Sequence, residues 1–284
     1  NDVAKFARRR VLAVEGNTRL DAQRLVGKTV RAFRSHGKHF LVELPGFALR
    51  VHFLLWGTYR IDERKPDKPI RLGLRFTNGE LNLYSCSLRI LEGALDEHYD
   101  WRSDVLADAW SPALARRKLK AMPDTHACDA LLDQNVFAGV GNIIKNEVLV
   151  RIRVHPLSTI GALPPRKLGE LIREARKYSF DFLRWKRAYV LRKHWLAHRK
   201  RTCPRCEVPL ALAHLGRTAR RAFYCESCQV RYGESESRAT AAPRNASKPA
   251  RRGAAPIARP RKVAAPARPR DRAKPASSRK RASA

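Results

Sequence analysis

Apolar and polar residues alternate along the first third of the chain, and a period of two predicts strands. The run Arg71-Leu72-Gly73-Leu74-Arg75-Phe76 alternates, Asn78-Gly79 supplies a hairpin turn, and the alternation resumes at Leu81 and Leu83. Upstream, His39–Leu44 and Phe47–Tyr59 read as further strands around the turn Pro45-Gly46. From Val11 to about Gly93 the pattern is that of a sandwich or barrel of short antiparallel strands. From about Ser103 the spacing becomes helical, over Val105–Leu119, Ala127–Leu132, Ile143–Ile152 and Leu163–Trp185. The last of these opens through Pro164-Pro165, where a first-turn proline forfeits no hydrogen bond. Past about Gly233 only Ile257 and Val263 are large and apolar, so the segment cannot offset its ordering entropy and is predicted to be a disordered basic tail. The predicted organisation is a multidomain α+β chain: a β-sandwich over residues 1–98, a helical domain over 99–200, a cysteine hairpin over 201–232, and the tail over 233–284.

Charge narrows the partner. The 284 residues carry 59 Lys and Arg against 26 Asp and Glu, a net +33, which implies a phosphate-backbone partner of the kind bound by ribosomal, nucleoid and repair proteins. No uncharged apolar run reaches the roughly 18 residues of a membrane span. No basic amphipathic helix suited to an anionic membrane surface is found either. The expectation is a soluble monomer of the cytoplasm, associated with the nucleoid.

Four of the six cysteines form one pattern, Cys203-x2-Cys206, eighteen residues, Cys225-x2-Cys228. Each Cys-x-x-Cys pair makes a tight knuckle, and the intervening stretch is long enough for a hairpin, so four thiolates can take the corners of a tetrahedron around one structural Zn2+. Two disulfides would require an oxidising compartment, and nothing here reads as a secretion signal. Cys86 and Cys128 stand among apolar neighbours and read as small core residues.

Between the helical segments lies Leu132-Asp133-Gln134-Asn135-Val136-Phe137-Ala138-Gly139-Val140-Gly141-Asn142-Ile143-Ile144. Its glycines fit a tight turn leading into a helix whose backbone N–H groups point outward, and phosphate is the natural ligand of such a terminus. With the cysteine hairpin and the net charge, it argues for two clamps on one nucleic-acid backbone.

The run Asp133-Gln134 to Ile143 resembles the helix-two-turn-helix signature of the formamidopyrimidine-DNA glycosylase and endonuclease VIII family. The stretch Arg220-Arg221-Ala222-Phe223-Tyr224-Cys225-Glu226-Ser227-Cys228-Gln229 resembles that family's zinc finger, and Gly37-Lys38-His39-Phe40 its β-domain lysine motif. The three motifs occur in family order between about Arg9 and Gln229, and the endonuclease VIII branch fits best.

The resemblance implies a base-excision DNA glycosylase with AP lyase activity on double-stranded DNA containing damaged bases or abasic sites, pyrimidines foremost. It would work through a Schiff base and β,δ-elimination. The family's nucleophile is an N-terminal proline followed by glutamate. This chain opens Asn1-Asp2-Val3, its only methionine is Met122, and Phe6–Val11 matches a stretch that normally lies further into the protein. The expectation is a sequence that starts inside the natural one. By resemblance Lys38 contacts DNA at the lesion and assists the chemistry. Asn142 grips a phosphate, with helix N-capping as its plainer role. Arg220, with Arg221 as neighbouring candidate, pinches the phosphates flanking the lesion. Leu54, Leu55 and Trp56 occupy the place of the wedge that fills the space of a flipped base, or else are ordinary core residues. Glu147 and His155 fall at familiar helical-domain positions and are assigned structure. The rival readings are a non-catalytic zinc-finger DNA-binding protein of the same fold and an RNA or ribosome partner with a zinc ribbon.

Residues 234–284 hold fifteen Lys or Arg against three acidic residues, a net +12. Deleting this tail is expected to lower the slope of log K against log salt for undamaged duplex by about 0.9 for each tail cation that contacts phosphate. Lesion preference should stay unchanged; anisotropy titrations at several salt concentrations measure both.

Overall fold

The computed structural model describes residues 2–233. The tail predicted over residues 233–284 lies outside the described residues except for Gly233. Two four-stranded antiparallel sheets face each other in the first part of the chain. One has the order β1 (Ala13–Glu15), β6 (Leu72–Phe76), β7 (Gly79–Tyr84), β5 (Thr58–Ile61); the other β2 (Ala32–His36), β3 (His39–Leu44), β4 (Phe47–His52), β8 (Ser87–Glu92). Alternation places Leu72, Leu74, Phe76, Leu81 and Leu83 of one sheet against Val42, Leu44, Leu49 and Val51 of the other in a shared core. The β6–β7 hairpin forms as predicted, with Phe76 paired to Gly79, so the two turn residues are Thr77 and Asn78. The stretch Phe47–Tyr59 is not continuous strand: residues 53–57 leave the sheets as a loop between β4 and β5.

A one-turn α1 (Leu95–His98) leads to the helical layer: α2 (Pro112–Lys120), α3 (Ala127–Ala130), α4 (Asn142–Arg151) and α5 (Pro165–Arg187). Two predicted helices are shorter than their periodicity. The helical spacing over Val105–Leu119 yields a helix only from Pro112, because Ser111 caps it by accepting from the Leu114 N–H at 3.2 Å. The residues before it form turns, in which the Asp104 carboxylate accepts from the Leu106 N–H and the Val105 N–H donates to the Ala138 carbonyl. Over Ala127–Leu132 only one turn forms. The Asp133 carboxylate then takes the Asn135 N–H and turns the chain away. The helices enclose a second core around Phe137, Val148, Leu171 and Tyr178. The hairpin β9 (Ala211–Leu215) and β10 (Arg220–Tyr224) packs on α4 through Phe223 and Val150.

The sandwich meets the helical layer at two glycines. The Gly37 N–H donates to Asp104 at 2.8 Å, and Gly37 adopts φ +57° against the backbone of Gly139. A Cβ on Gly37 would stand 2.8 Å from the Gly139 nitrogen, so only glycine lets these backbones approach. Gly37→Ala is therefore expected to destabilise the fold by roughly 2 kcal/mol or more, since it adds a backbone clash to an unfavourable φ. Urea unfolding monitored by tryptophan fluorescence measures this.

Candidate nucleic-acid interface

The cysteine hairpin brings its four sulfurs within 4.8 Å of one another. Cys206 lies 3.4 Å from both Cys203 and Cys225, and Cys203 lies 3.7 Å from Cys228. A tetrahedral thiolate site with bonds of about 2.3 Å has edges of about 3.8 Å, so the quartet fits one metal ion. The surroundings fix the knuckles. Arg205 donates to the Cys228 sulfur at 2.9 Å, and Gln229 accepts the Cys225 N–H while donating to the Val154 carbonyl. At the far end, the buried Asp129 carboxylate of α3 accepts from the Arg217 N–H and from the Thr218 N–H and hydroxyl. Both ends of the hairpin are thus tied to the helical layer.

Strand β10 meets α4 at a single carbonyl. The Arg221 oxygen accepts from Asn142 Nδ2 at 3.0 Å, Lys145 Nζ at 3.0 Å and Asn146 Nδ2 at 3.3 Å. The three donors stand at i, i+3 and i+4, on one face of the helix. Asn142 is the first residue of α4 and Gly141 holds the cap position, so the capping role considered for Asn142 is corrected. Its side-chain oxygen is buried with no protein partner among the described residues.

Arg220 and Arg221 are both exposed and alternate in β10, so their side chains leave opposite faces. The positive charge of Arg220 acts on both Lys38 and Lys145, and the carbonyl of its neighbour Arg221 is bonded to Asn142 at the start of α4. Lys38, from the β2–β3 turn, donates to the Val140 carbonyl at 2.7 Å and to Gln134 Oε1 at 3.1 Å. Burial, and secondarily Arg220, lowers the Lys38 pKa from its ordinary value. Lys38, the α4 N-terminus with Asn142, and Arg220 therefore converge from three separate elements. Beside them, burial pushes His39 down to about 4, helped by Arg50, His52, His36 and Lys38, so the ring is neutral at pH 7.

The loop between β4 and β5 carries Leu54, Leu55 and Trp56 at 62%, 86% and 81% exposure, which removes the alternative that they fill the core. The Gly57 N–H closes the turn on the Phe53 carbonyl at 2.7 Å, and Leu54 sits at φ +51° with its N–H donated to His52 Nδ1 at 3.2 Å. A Cβ at Gly57 would lie 2.2 Å from the Phe53 oxygen. Glu147, buried, accepts from the N–H groups of Leu196, Ala197 and His198. His155 packs edge-on against Tyr224. Both hold structure, as their sequence positions suggested. Burial pushes the Cys86 and Cys128 thiols up to about 11, in keeping with core residues.

Sequence reasoning missed Lys145, Asn146, Gln134 and Asp129. The helical spacing of Asn142, Lys145 and Asn146 was a usable signal; the others depend on contacts remote in the chain.

A two-sheet sandwich, a glycine turn opening a helix and a four-cysteine hairpin define a fold shared with solved DNA glycosylases. A Lactococcus lactis formamido-pyrimidine DNA glycosylase non-covalently bound to DNA containing an AP site superposes with TM-score 0.68 at 19% identity, covering 80% of this chain and 95% of that one. A viral DNA glycosylase gives 0.69 at 18% identity, covering 81% and 96%. Residues 3–89 match the formamidopyrimidine-DNA glycosylase N-terminal domain. Endonuclease 8 2 of Mycobacterium tuberculosis is 30% identical over 229 residues, 74% of this chain and 88% of the relative. The chain belongs to the formamidopyrimidine-DNA glycosylase and endonuclease VIII family. Endonuclease 8-like 3 of Mus musculus is 28% identical over 202 residues, 68% of this chain, and the chain spans about a third of that longer protein, 33%. A DNA-(apurinic or apyrimidinic site) lyase of Mycolicibacterium smegmatis is 28% identical over 219 residues, 72% of this chain and 84% of the relative.

Burial pushes Lys145 from 10.5 down to about 8; Cys128 and Asp129 oppose the shift and Arg220 adds to it. Below about pH 8 the folded chain holds a buried cation; between about 8 and 10.5 it has released a proton that the unfolded chain keeps, so this contribution to stability rises with pH. The stability of the wild type relative to Lys145→Met is expected to improve by roughly 1–3 kcal/mol from about pH 7.5 to 10. Paired denaturant titrations across that range measure the difference.

Proposed function

We propose that the chain is a base-excision repair DNA glycosylase with AP lyase activity, acting as a monomer on chromosomal duplex that contains oxidised bases, pyrimidines foremost, or abasic sites. The carrying observation is the convergence of Lys38, the Asn142 helix terminus and Arg220, three donors from three elements, in a fold whose solved relatives include complexes with DNA containing an AP site. In this reading Arg220 and Asn142 grip the phosphates flanking the lesion, with Arg221 on the other face of β10 available to more distant backbone. Leu54, Leu55 and Trp56 present apolar surface to the space a flipped base vacates, replacing part of the few kcal/mol of lost stacking. The four thiolates hold one structural Zn2+, whose closed coordination shell leaves no position for water and whose role is to fix β10.

In this reading the nucleophile is the secondary amine of the family's N-terminal proline. It attacks the sugar C1′ and the base leaves with the bonding electrons. Opening of the sugar ring gives an iminium, which acidifies the C2′ hydrogen so that its removal expels the 3′ phosphate; removal of the C4′ hydrogen from the conjugated product then expels the 5′ phosphate. Lys38 stays close to the lesion as a contact to DNA and an aid to this chemistry.

The test is borohydride trapping of the protein on a duplex with one abasic site, beside elemental analysis. Expected are a covalent protein–DNA adduct, strand nicking and one zinc per chain. Arg220→Ala and Asn142→Ala should each cut adduct yield at limiting DNA about tenfold, the loss of one charge-assisted contact of roughly 1–3 kcal/mol. Retained duplex binding without adduct or nicking would instead establish the non-catalytic DNA-binding reading.

A further inference from the structure

Helix α5 and the start of α2 enclose an open groove of about 640 Å³ away from the Lys38 and Arg220 side chains, lined chiefly by apolar surface from Trp110, Pro112, Ile172 and Phe180. Phe180 is 44% exposed although its ring is large and apolar. Arg173, Arg176 and Lys177 line the rim with Asp181, which pairs with Lys177 and leaves the two arginines in excess, and Arg176 lies over the Phe180 ring at 5.2 Å. On the adjoining turn, the Arg173 and Arg116 guanidiniums close on the same spot. A Cβ on Gly169 would lie 3.2 Å from one and 3.3 Å from the other.

Charge pairing along α5 is uneven. Towards its ends the cations have carboxylates: Arg166 and Lys167 share Glu170, and Lys177 and Arg184 share Asp181. Among the described residues no carboxylate pairs with Arg116, Arg173 or Arg176; Arg176 donates only to the Val105 and Ala107 carbonyls. Two guanidiniums side by side without a counter-ion repel, and the arrangement is relieved by an anionic ligand. A ligand that supplied only phosphate would leave the Trp110 and Phe180 surface uncovered. The residues after Gly233 are no candidate, since their net +12 repeats the sign of the rim.

We propose that this groove docks an acidic segment of a partner protein, with aromatic or aliphatic side chains seated on Trp110 and Phe180 and carboxylates on Arg173, Arg176 and Arg116. Apolar anchors in a pocket ringed by cations are a recurrent way to bind short acidic segments. The surface involves none of the residues assigned to DNA, so it can recruit the enzyme without occupying its site.

The probe is a fluorescein-labelled octapeptide, Asp-Glu-Leu-Asp-Glu-Asp-Leu-Phe, titrated with the full chain, alongside a control in which both leucines and the phenylalanine are serine. The proposal expects binding at least tenfold tighter for the first peptide. Arg173→Glu and Phe180→Asp, on exposed positions, should each weaken it tenfold or more, while affinity for an abasic duplex and the thermal midpoint stay at wild-type values. Equal binding of the two peptides, or insensitivity to both substitutions in folded protein, overturns it. Loss of duplex or single-strand binding in these variants, with no peptide effect, would assign the groove to nucleic acid instead.

Discussion

One backbone oxygen ties the cysteine hairpin to the helix that follows the glycine turn. The Arg221 carbonyl collects donors from Asn142, Lys145 and Asn146, so the strand that carries Arg220 is registered against the helix that begins at Asn142. A buried carbonyl normally needs one or two partners, and one of these three is a lysine whose charged form is costly to bury. That arrangement is unfavourable as stability alone and useful as positioning. It keeps positive charge beneath the place where phosphate is proposed to sit, and it makes the separation of Arg220 from the helix terminus a fixed dimension.

The same logic explains why the cysteine hairpin is tied at both ends. Gln229 couples the metal knuckles to Val154, Asp129 holds the 216–218 turn, and Glu147 gathers the N–H groups of 196–198 that lead into the hairpin. A small cysteine hairpin has little core of its own. Its placement is borrowed from α3 and α4. The sandwich joins through the Gly37–Gly139 contact, which brings Lys38 within reach of the Val140 carbonyl.

What could be read beforehand was what is local. Alternation around Asn78-Gly79, the helix after Gly141 and the spacing of Cys203, Cys206, Cys225 and Cys228 each carry their geometry within a few residues, and each is found in the fold. The helix expected from Val105 begins only at Pro112, because Asp104 and Ser111 offer the backbone other partners that periodicity does not register. Leu54, Leu55 and Trp56 were ambiguous for a different reason: three apolar residues in a row suit a core as well as a probe. A strained turn closed by Gly57 decides it. Asp129 was invisible because its partner Arg217 lies 88 residues away. That the side chains of Arg220 and Arg221 leave opposite faces followed only once β10 was known to be a strand.

The turn that displays Leu55 and Trp56 has a thermodynamic consequence of its own. Its shape is already set by the Gly57 N–H, the His52 ring nitrogen and the left-handed Leu54, so the loop has little backbone freedom left to surrender when it meets a partner. The conformational cost was met during folding. In the proposed wedge role, such a stiff apolar finger would meet each base step already in its final form, so each brief encounter would be decided by the stacking strength of the step.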